Sequence, residues 1–300
     1  MKVGVTGATG FVGRPLVAAL RARGHDVRVF SRSGARGREL VEDVVEWNPS
    51  AGPAPSDALS GLDAVVNLAG ASIDQRWNED VKRSIVDSRV EGTRNLVAGL
   101  ERAQPRPSVL VSASAAGYYG DRGDVTLEED ATPGTDFLAD LCVQWEAAAD
   151  GAVSLGLRVA RVRTGIVLDR SGGALKRMLP AFRLGVGGPL GSGRQYMPWI
   201  ALDDLVGVYV AAVEGDERWS GAFNACGPRP ATNREFARTL GRVLHRPAVM
   251  PVPPIALRIV LGELAGSVTS SQRMVPTRAL AAGYQFQYPE LEAALRGALA

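Results

Sequence analysis

The stretch "VTGATGFVG", residues 5–13, places three glycines three residues apart, between an apolar run and a segment with helical spacing. A strand, a glycine turn and a helix in this order bind the pyrophosphate of a dinucleotide. The glycines permit a tight turn, close approach of the backbone to phosphate, and packing of helix against sheet. Gly7, Gly10 and Gly13 are therefore predicted to bind a cofactor, and a purely structural turn is the alternative.

Strand-like runs recur along the first 162 residues, and segments with helical spacing or turn residues separate most of them. The runs are "KVGVT" (2–6), "DVRVF" (26–30), "VVEW" (44–47), "DAVVNLA" (63–69), "SVLVSAS" (108–114) and "LRVARV" (157–162). This alternation predicts an α/β fold, a doubly wound parallel sheet of Rossmann type with helices on both faces. A helix is expected over 78–103, with Asn78 as its cap.

The alternation ends near residue 170, where "GVGGPLGSGRQYMPW" (185–199) and later "RPAVMPVPP" (246–254) are rich in glycine or proline. We therefore predict two domains. A dinucleotide-binding domain is expected from residues 1–170 and 201–227, and a smaller C-terminal substrate lobe from 171–200 and 228–300. Within the first, "DDLVGVYVAAVEG" (203–215) predicts a helix capped by Asp203, and "GAFNACG" (221–227) predicts a strand that rejoins the sheet.

Composition narrows the class of partner. The 34 basic and 32 acidic side chains nearly cancel, and no long run of one sign occurs, so neither nucleic acid nor a membrane is expected as a partner. Two cysteines without CxxC spacing and two histidines are too few for a zinc site or a disulfide framework. No metal, a reducing cytoplasmic location without a secretory leader, a small-molecule substrate, and a monomer or homodimer are expected.

The second strand run is followed by Ser31 and Arg32, at the place where an acidic residue would bind the 2′-hydroxyl of the adenosine ribose. A hydroxyl and a guanidinium suit a 2′-phosphate instead, because guanidinium pairs with phosphate through two parallel hydrogen bonds. The predicted cofactor is therefore NADP(H) rather than NAD. A solvated surface arginine is the alternative.

Four motifs occur in order: "GATGFVG", "NLAGA" (67–71), "SRVEGTRNLV" (88–97) and "SASAAGYYG" (112–120). With them the chain resembles the extended short-chain dehydrogenase/reductase superfamily of sugar-nucleotide epimerases and dehydratases. Longer segments, such as "GGALKRMLPAFRLGVGGPLGSGRQYMPWI" (172–200), resemble an atypical branch, the "epimerase family protein" group. Bacterial members of that group are sometimes labelled cell-division inhibitors. The resemblance covers essentially the whole chain and implies the fold and the cofactor, but no settled reaction.

The resemblance also implies which residues contact the cofactor. They are Thr9, Gly10, Phe11 and Val12 at the pyrophosphate, Leu68, Ala69 and Gly70 beside the adenosine and ribose, Arg89 at the asparagine position of an "NxxGT" helix, and Val167 beside the nicotinamide. The contacts expected of Leu68, Ala69 and Val167 are made by the main chain, because their side chains are core residues.

One part of the superfamily pattern is missing. Its reductases use a tyrosine that a lysine four residues later makes acidic, so that the phenol exchanges a proton with the substrate. None of the six tyrosines has a lysine four residues later. Alignment of the helix "FLADLCVQWEAAA" (137–149) through Glu146 places Leu138 and Cys142 at the two positions, and neither supplies a proton or a fixed positive charge.

Other hydroxyl groups are predicted to replace the missing pair. Ser112 and Ser114 end the fifth strand, where the superfamily places a hydroxyl that polarises the substrate, and Tyr119 follows on a loop with Tyr118. The alternative is that the serines only end a strand and that the tyrosines pack in the interior. The residues predicted to contact substrate are Arg163, Gln195, Tyr196 and Trp199. The alternative is a solvated surface arginine for Arg163 and packing in the lobe for the other three.

Two functions remain open. The first is an NADP(H)-dependent oxidoreductase or epimerase-like enzyme that acts on a small carbonyl, hydroxyl or sugar-nucleotide-like compound. The second is a non-catalytic NADP(H)-sensing or regulatory protein that kept the nucleotide site and lost the proton relay.

Overall fold

The computed structural model describes residues 1–300, except for the side chains of residues 254, 258, 260 and 261. Its strands are β1 (Lys2–Thr6), β2 (Asp26–Ser31), β3 (Val44–Glu46), β4 (Ala64–Asn67), β5 (Val109–Ala115), β6 (Thr126–Leu127), β7 (Arg158–Thr164), β8 (Ile166–Leu168), β9 (Tyr196–Met197), β10 (Trp199–Ala201), β11 (Gly221–Ala225), β12 (Ala231–Thr232) and β13 (Arg273–Met274). Its α-helices are α1 (Gly13–Ala22), α2 (Gly34–Arg38), α3 (Ser56–Leu59), α4 (Glu79–Arg102), α5 (Phe137–Asp150), α6 (Gly173–Arg183), α7 (Leu202–Glu214), α8 (Asn233–Val243), α9 (Pro254–Leu261), α10 (Leu264–Thr269), α11 (Thr277–Ala281) and α12 (Leu291–Leu299).

A seven-stranded sheet forms the centre of the fold, in the order β11-β7-β5-β4-β1-β2-β3, with every neighbouring pair parallel. The predicted Rossmann-type sheet is confirmed, and the run at 221–227 rejoins it as the edge strand β11. The strand order reverses between β1 and β4. In sheets of this kind, ligands bind at such a switch point, outside the carboxyl ends of the strands.

Helices cover both faces of the sheet, which explains why its strands are apolar at consecutive positions. In β4, Val66 faces a core that includes Leu16 of α1 and Leu205 of α7. The adjacent Val65 faces the opposite core, which includes Leu96 of α4. Because successive strand residues point to opposite faces of the sheet, each strand needs apolar residues at both its odd and its even positions.

The two predicted helix caps had different outcomes. Asn78 caps α4 as predicted, because its side-chain oxygen accepts a hydrogen bond from the amide of Val81 at 2.8 Å. The predicted cap at Asp203 is wrong, because α7 begins at Leu202, with Ala201 as a cap residue that makes no side-chain bond. Asp203 lies in the first turn instead, where its negative charge interacts favourably with the helix dipole.

The C-terminal part of the chain packs both on itself and on the sheet. A separate apolar core includes Leu175 of α6, Phe236 of α8 and Leu295 of α12. Ala279 of α11 and the ring of Tyr284 pack instead against the core that contains α1 and α7. The predicted domain boundaries therefore stay a prediction, since part of the segment assigned to the lobe contacts the central sheet.

Among the described residues, no helix combines the length and apolarity required to cross a membrane.

A buried carboxylate attaches this C-terminal segment to α7. Asp204, 1% exposed, accepts hydrogen bonds from the amides of Gln287 at 2.7 Å and Tyr288 at 3.0 Å. The Tyr284 hydroxyl donates to the Asp204 carbonyl at 2.9 Å. Burial raises the pKa of the Asp204 carboxyl, and the two amides oppose that shift. The Asp204 side chain is therefore the hydrogen-bond acceptor for two backbone amides, and neither amide has another partner among the described residues.

We predict that Asp204→Ala lowers the free energy of unfolding by about 3 kcal/mol, because two backbone amides lose their buried acceptor. Chemical unfolding in urea, followed by circular dichroism, measures the loss. Asp203→Ala is the matched control, because the carboxylate of Asp203 is exposed. A much smaller fall in the free energy of unfolding is expected for this control. Equal effects of the two substitutions would contradict the proposed attachment.

Candidate functional site

The glycine loop is closed by contacts between backbone atoms. Gly7 has a φ of +66°, and a Cβ on it would lie 2.6 Å from the carbonyl carbon and oxygen of Leu68. A Cβ on Gly13 would lie 2.7 Å from the Cα of Ala8. Gly10 is different, because a Cβ there would meet only the Gly7 carbonyl oxygen, at 3.2 Å. Two glycines are therefore required by the packing of the loop, and the third leaves an open surface.

Two polar residues tie the loop to the neighbouring strand. Thr6 at the end of β1 donates its hydroxyl hydrogen bond to Oδ1 of Asn67 at the end of β4, at 2.7 Å. The same hydroxyl accepts the amides of Leu68 and Ala69, each at 3.2 Å. Sequence reasoning missed Thr6 and Asn67, although a buried polar residue ending each of two adjacent apolar strands was the available signal.

The carboxyl ends of β1 and β2 lead to a helix amino terminus and to an exposed arginine. Helix α1 begins at Gly13 and has no acidic residue in its first turn, so its amides and dipole favour an anion. Ser31 forms a local turn in which its hydroxyl donates to the carbonyl of Ser33 at 3.0 Å. Arg32 is exposed, and its guanidinium has no hydrogen-bond or ion-pair partner among the described residues.

The region outside the carboxyl ends of β1, β2 and β4, which includes the glycine loop, is called the groove below. The other residues predicted at the cofactor lie around it. Phe11 of the glycine loop packs directly against Gly172 at the start of α6. Val167 is half-buried in β8 and pairs with Ile200 of β10. Arg89 of α4 lies on the other side of β4, where its Nη1 donates to the carbonyl of Ala71 at 2.9 Å. The structure therefore arranges the predicted residues around the carboxyl ends of the strands.

A buried hydrogen-bond network lies behind the ends of β5 and β7. The Ser114 hydroxyl donates to Glu146 at 2.6 Å, and the Arg163 guanidinium donates to both oxygens of Glu146 at 2.8 and 2.9 Å. Arg163 also donates to the Tyr119 hydroxyl at 2.9 Å, and that hydroxyl donates to Oδ1 of Asn224 at 2.7 Å. Burial raises the pKa of Tyr119, although the Arg163 charge opposes the shift.

The three residues predicted to be catalytic are enclosed by this arrangement. Ser112, Ser114 and Tyr119 are each 3% exposed or less. Ser112 lies 3.5 Å from the Asn67 amide nitrogen, in the interior. The structure does not bring these hydroxyls to an open cleft, because their hydrogen-bond partners lie inside the protein. Their catalytic role stays a prediction. Sequence reasoning used Glu146 only to align α5 and did not identify it as the partner of Ser114 and Arg163.

Tyr118 is placed differently from its neighbour. It is half-buried, and the Arg163 guanidinium carbon lies 3.4 Å from the centre of its ring. Its hydroxyl has no hydrogen-bond partner within the described part of the chain.

Leu138, at the position of the missing tyrosine, lies beside Gly117. Burial, with a contribution from Glu146, raises the pKa of the Cys142 thiol to about 12, so this group is neutral at physiological pH.

The residues predicted to bind substrate are mostly enclosed as well. Arg163 is paired with Glu146, and Trp199 is 1% exposed, with its indole nitrogen donating to the Arg229 carbonyl at 3.2 Å. Gln195 is buried and donates to the Leu190 carbonyl at 3.0 Å. Tyr196 is half-buried, and the Arg273 guanidinium carbon lies 5.2 Å from the centre of its ring. The enclosed position favours the alternative of packing for Trp199, and the burial of Arg163 contradicts the alternative of a solvated surface arginine.

Two cavities lie outside the groove. One of about 480 Å³ is lined by Asp121, Arg194, Gln195 and Ser271 among others, so it contains one predicted substrate residue. The other, of about 630 Å³, lies near the amino-terminal ends of β1 and β2 and is remote from the glycine loop. In the described part of the chain, no group of three or more histidine, cysteine, aspartate or glutamate residues is placed to hold a metal ion.

The fold and the glycine loop define a dinucleotide-binding protein of the extended short-chain dehydrogenase/reductase class. The sequence profile of the NAD dependent epimerase/dehydratase family matches residues 3–226, and the chain belongs to this family. A domain of unknown function (DUF1731) matches residues 252–298. The resemblance stated from the sequence motifs is therefore confirmed.

Relatives with similar sequences cover the whole chain. The human epimerase family protein SDR39U1 is 40% identical over 301 residues, with 99% of each chain covered. An epimerase family protein of Mycobacterium tuberculosis is 42% identical over 296 residues, covering 98% of this chain and 96% of the relative. A chloroplastic SDR39U1 homologue of Arabidopsis thaliana is 40% identical, covering 99% of this chain and 86% of the relative.

Solved structures show the same architecture. The crystal structure of human SDR39U1 (isoform 2) with NADPH superimposes with a TM-score of 0.88 at 38% identity, covering 99% of this chain and 98% of that chain. A nucleoside-diphosphate sugar epimerase from Corynebacterium glutamicum gives a TM-score of 0.79 at 34% identity, covering 100% of this chain and 58% of that chain.

We predict that Glu146→Gln lowers the free energy of unfolding by about 3–5 kcal/mol, because it leaves the buried Arg163 charge without its carboxylate. Thermal and urea unfolding measure the effect. Glu91→Gln is the control, since Glu91 pairs with Arg94 on the exposed face of α4 and surface ion pairs contribute little. A Glu146→Gln protein as stable as the control would show that the pair does not support the site.

Proposed function

We propose that the protein binds NADP(H) in the groove at the carboxyl ends of β1, β2 and β4. The observation that carries the proposal is the exposed Arg32 guanidinium at the end of β2, which has no partner among the described residues. It accompanies a glycine loop whose packing excludes side chains at Gly7 and Gly13. The human relative that was crystallised with NADPH supports it. An arginine at this place suits the 2′-phosphate that distinguishes NADP(H) from NAD(H).

Each part of the groove has a role in this proposal. The amides of Thr9, Gly10, Phe11 and Val12 bind the pyrophosphate, Ser31 and Arg32 bind the 2′-phosphate, the main chain of Leu68, Ala69 and Gly70 borders the adenosine and ribose, and Arg89 and Val167 lie at the nicotinamide end. When bound, the reduced cofactor supplies a hydride. Phe11 against Gly172 couples the pyrophosphate loop to α6, which borders the same groove.

For the reaction, we propose an oxidoreductase or epimerase-like enzyme that acts on a small carbonyl, hydroxyl or sugar-nucleotide-like compound. Proton handling is assigned to Tyr118, because its hydroxyl has no partner in the described part of the chain, whereas the Tyr119 hydroxyl is enclosed. Arg163, held by Glu146, fixes the position of the Tyr118 ring. Ser114 and Tyr119 act in this proposal as positioning residues that hold Glu146 and Arg163.

A specific observation favours a second candidate, an NADP(H)-sensing protein without catalysis. Leu138 and Cys142 occupy the positions of the missing tyrosine and lysine, and the Cys142 thiol is neutral at physiological pH. Ser114 and Tyr119 are also enclosed. In this case, the groove would bind the cofactor and no proton would be exchanged with a substrate.

The cofactor proposal is tested by fluorescence titration with NADPH and NADH. Arg32→Ala is expected to weaken NADPH binding by about 10- to 100-fold, because a charge-assisted contact with the 2′-phosphate is lost. NADH binding is expected to change less than about twofold, because NADH lacks that phosphate. An equal effect on both nucleotides, or no effect on either, would contradict the assignment of Arg32.

Turnover separates the two candidate functions. The protein with NADPH is incubated with a panel of carbonyl compounds while nicotinamide absorbance is followed, and the protein with NADP⁺ is incubated with sugar nucleotides while epimer products are measured, because epimerisation leaves the nicotinamide unchanged overall. For the enzyme, we expect NADPH oxidation or epimer formation with at least one compound, and a fall in kcat of about 100-fold in Tyr118→Phe, in line with the loss of a general acid. Tight NADPH binding without turnover across the panel would support the sensor instead.

A further inference from the structure

Arg89 carries a half-buried positive charge that no carboxylate balances in the described part of the chain. Its Nη1 donates to two neutral acceptors, the carbonyls of Ala71 at 2.9 Å and Ile85 at 3.4 Å. Its guanidinium carbon lies 5.3 Å from the centre of the Trp145 ring and close to Gly70. The Nε and Nη2 groups make no hydrogen bond to the residues described, and neither is among the fully buried unsatisfied atoms. Both donors therefore remain available to a ligand.

This situation differs from that of the other arginines that the fold encloses. Arg163 is paired with Glu146, and Arg158 donates to several backbone carbonyls. Removing a charge from water is costly unless a partner compensates it. Burial lowers the pKa of Arg89, but a guanidinium stays charged in proteins. An anionic or neutral ligand group would therefore bind more favourably beside Arg89 than a cationic one.

The position of Arg89 relative to the groove follows from the sheet order. The strands reverse between β1 and β4, and Arg32 lies at the end of β2, on one side of the reversal. Arg89 contacts Gly70, just after β4, and Trp145 of α5, on the other side. Gly70 is the last residue of the segment assigned to the adenosine and ribose, and from it the Arg89 guanidinium extends toward Trp145 of α5. If Arg32 marks the adenosine half, Arg89 therefore borders the half that holds the nicotinamide. Its charge also acts on Cys142, the position where the superfamily carries its lysine.

We propose that Arg89 supplies the fixed positive charge at the nicotinamide end of the groove and makes the site select NADPH over NADP⁺. This inference rests on the proposed function and adds a preference for one redox state. The two nucleotides carry the same phosphates and differ in the nicotinamide ring, which is cationic only when oxidised. A neighbouring guanidinium therefore repels the oxidised ring. Two like charges several ångströms apart in a partly buried site give a preference of about tenfold or more.

The test measures affinity rather than activity. NADPH, NADP⁺ and 2′-phospho-ADP-ribose, which lacks the nicotinamide, are titrated by calorimetry into wild type, Arg89→Gln and Arg89→Lys. Wild type is expected to bind NADPH about tenfold more tightly than NADP⁺. Arg89→Gln is expected to reduce that ratio to within about twofold, and Arg89→Lys to preserve it. Arg83→Gln is the matched control, because Arg83 lies exposed on the same helix.

The outcomes distinguish this inference from the function on which it rests. Equal affinity of wild type for NADPH and NADP⁺ would overturn the inference without the use of any variant. An equal loss of affinity for all three ligands in Arg89→Gln, with the ratio of NADPH to NADP⁺ affinity unchanged, would overturn the inference, because it would show that Arg89 has a merely structural role. Failure of wild type to bind any of the three ligands would contradict the proposed function itself.

Discussion

The fold depends on the close contact of backbone with backbone in the loop that follows β1. Gly7 lies against the main chain of Leu68, and Gly13 lies against Ala8, at distances that leave no room for a Cβ. These contacts set where α1 begins and how closely it approaches the sheet. Thr6 and Asn67 secure the same junction by joining the ends of β1 and β4. The reversal of strand order occurs at this junction, so the constraint that forms the loop also forms the groove.

Behind the groove, a buried ion pair organises the region where the family pattern departs from its usual residues. Glu146 of α5 and Arg163 of β7 are both 5% exposed or less, and their network reaches β5 through Ser114 and β11 through Asn224. The hydroxyls of Ser114 and Tyr119, which were predicted to replace the missing tyrosine–lysine pair, are therefore occupied. The charge that remains available near Cys142 belongs to Arg89, on a different helix.

The sequence predicted local features well and side-chain partners poorly. The strands, the Asn78 cap and the glycine loop follow from spacing within a few residues, which is why periodicity and cap chemistry identified them. The cap at Asp203 was wrong because the helix begins two residues earlier than that cap implies, with Ala201 as the cap residue. The surroundings of Tyr119 were beyond reach, because its partner Asn224 lies 105 positions away and Arg163 lies 44 away. Whether a residue at a strand end faces the cleft or the interior depends on such distant partners.

The central claim is that the glycine loop is shaped to hold a pyrophosphate, and Gly10→Ala tests it most directly. Of the three glycines, Gly10 is the one where a methyl group meets only a single carbonyl oxygen, at 3.2 Å, and points to an open surface. The measurement is the dissociation constant of NADPH, alongside the unfolding midpoint. We expect near-normal stability with NADPH binding weakened by about 100-fold, because the methyl group occupies the space of the phosphate. Unchanged NADPH affinity in a folded Gly10→Ala protein would contradict the account.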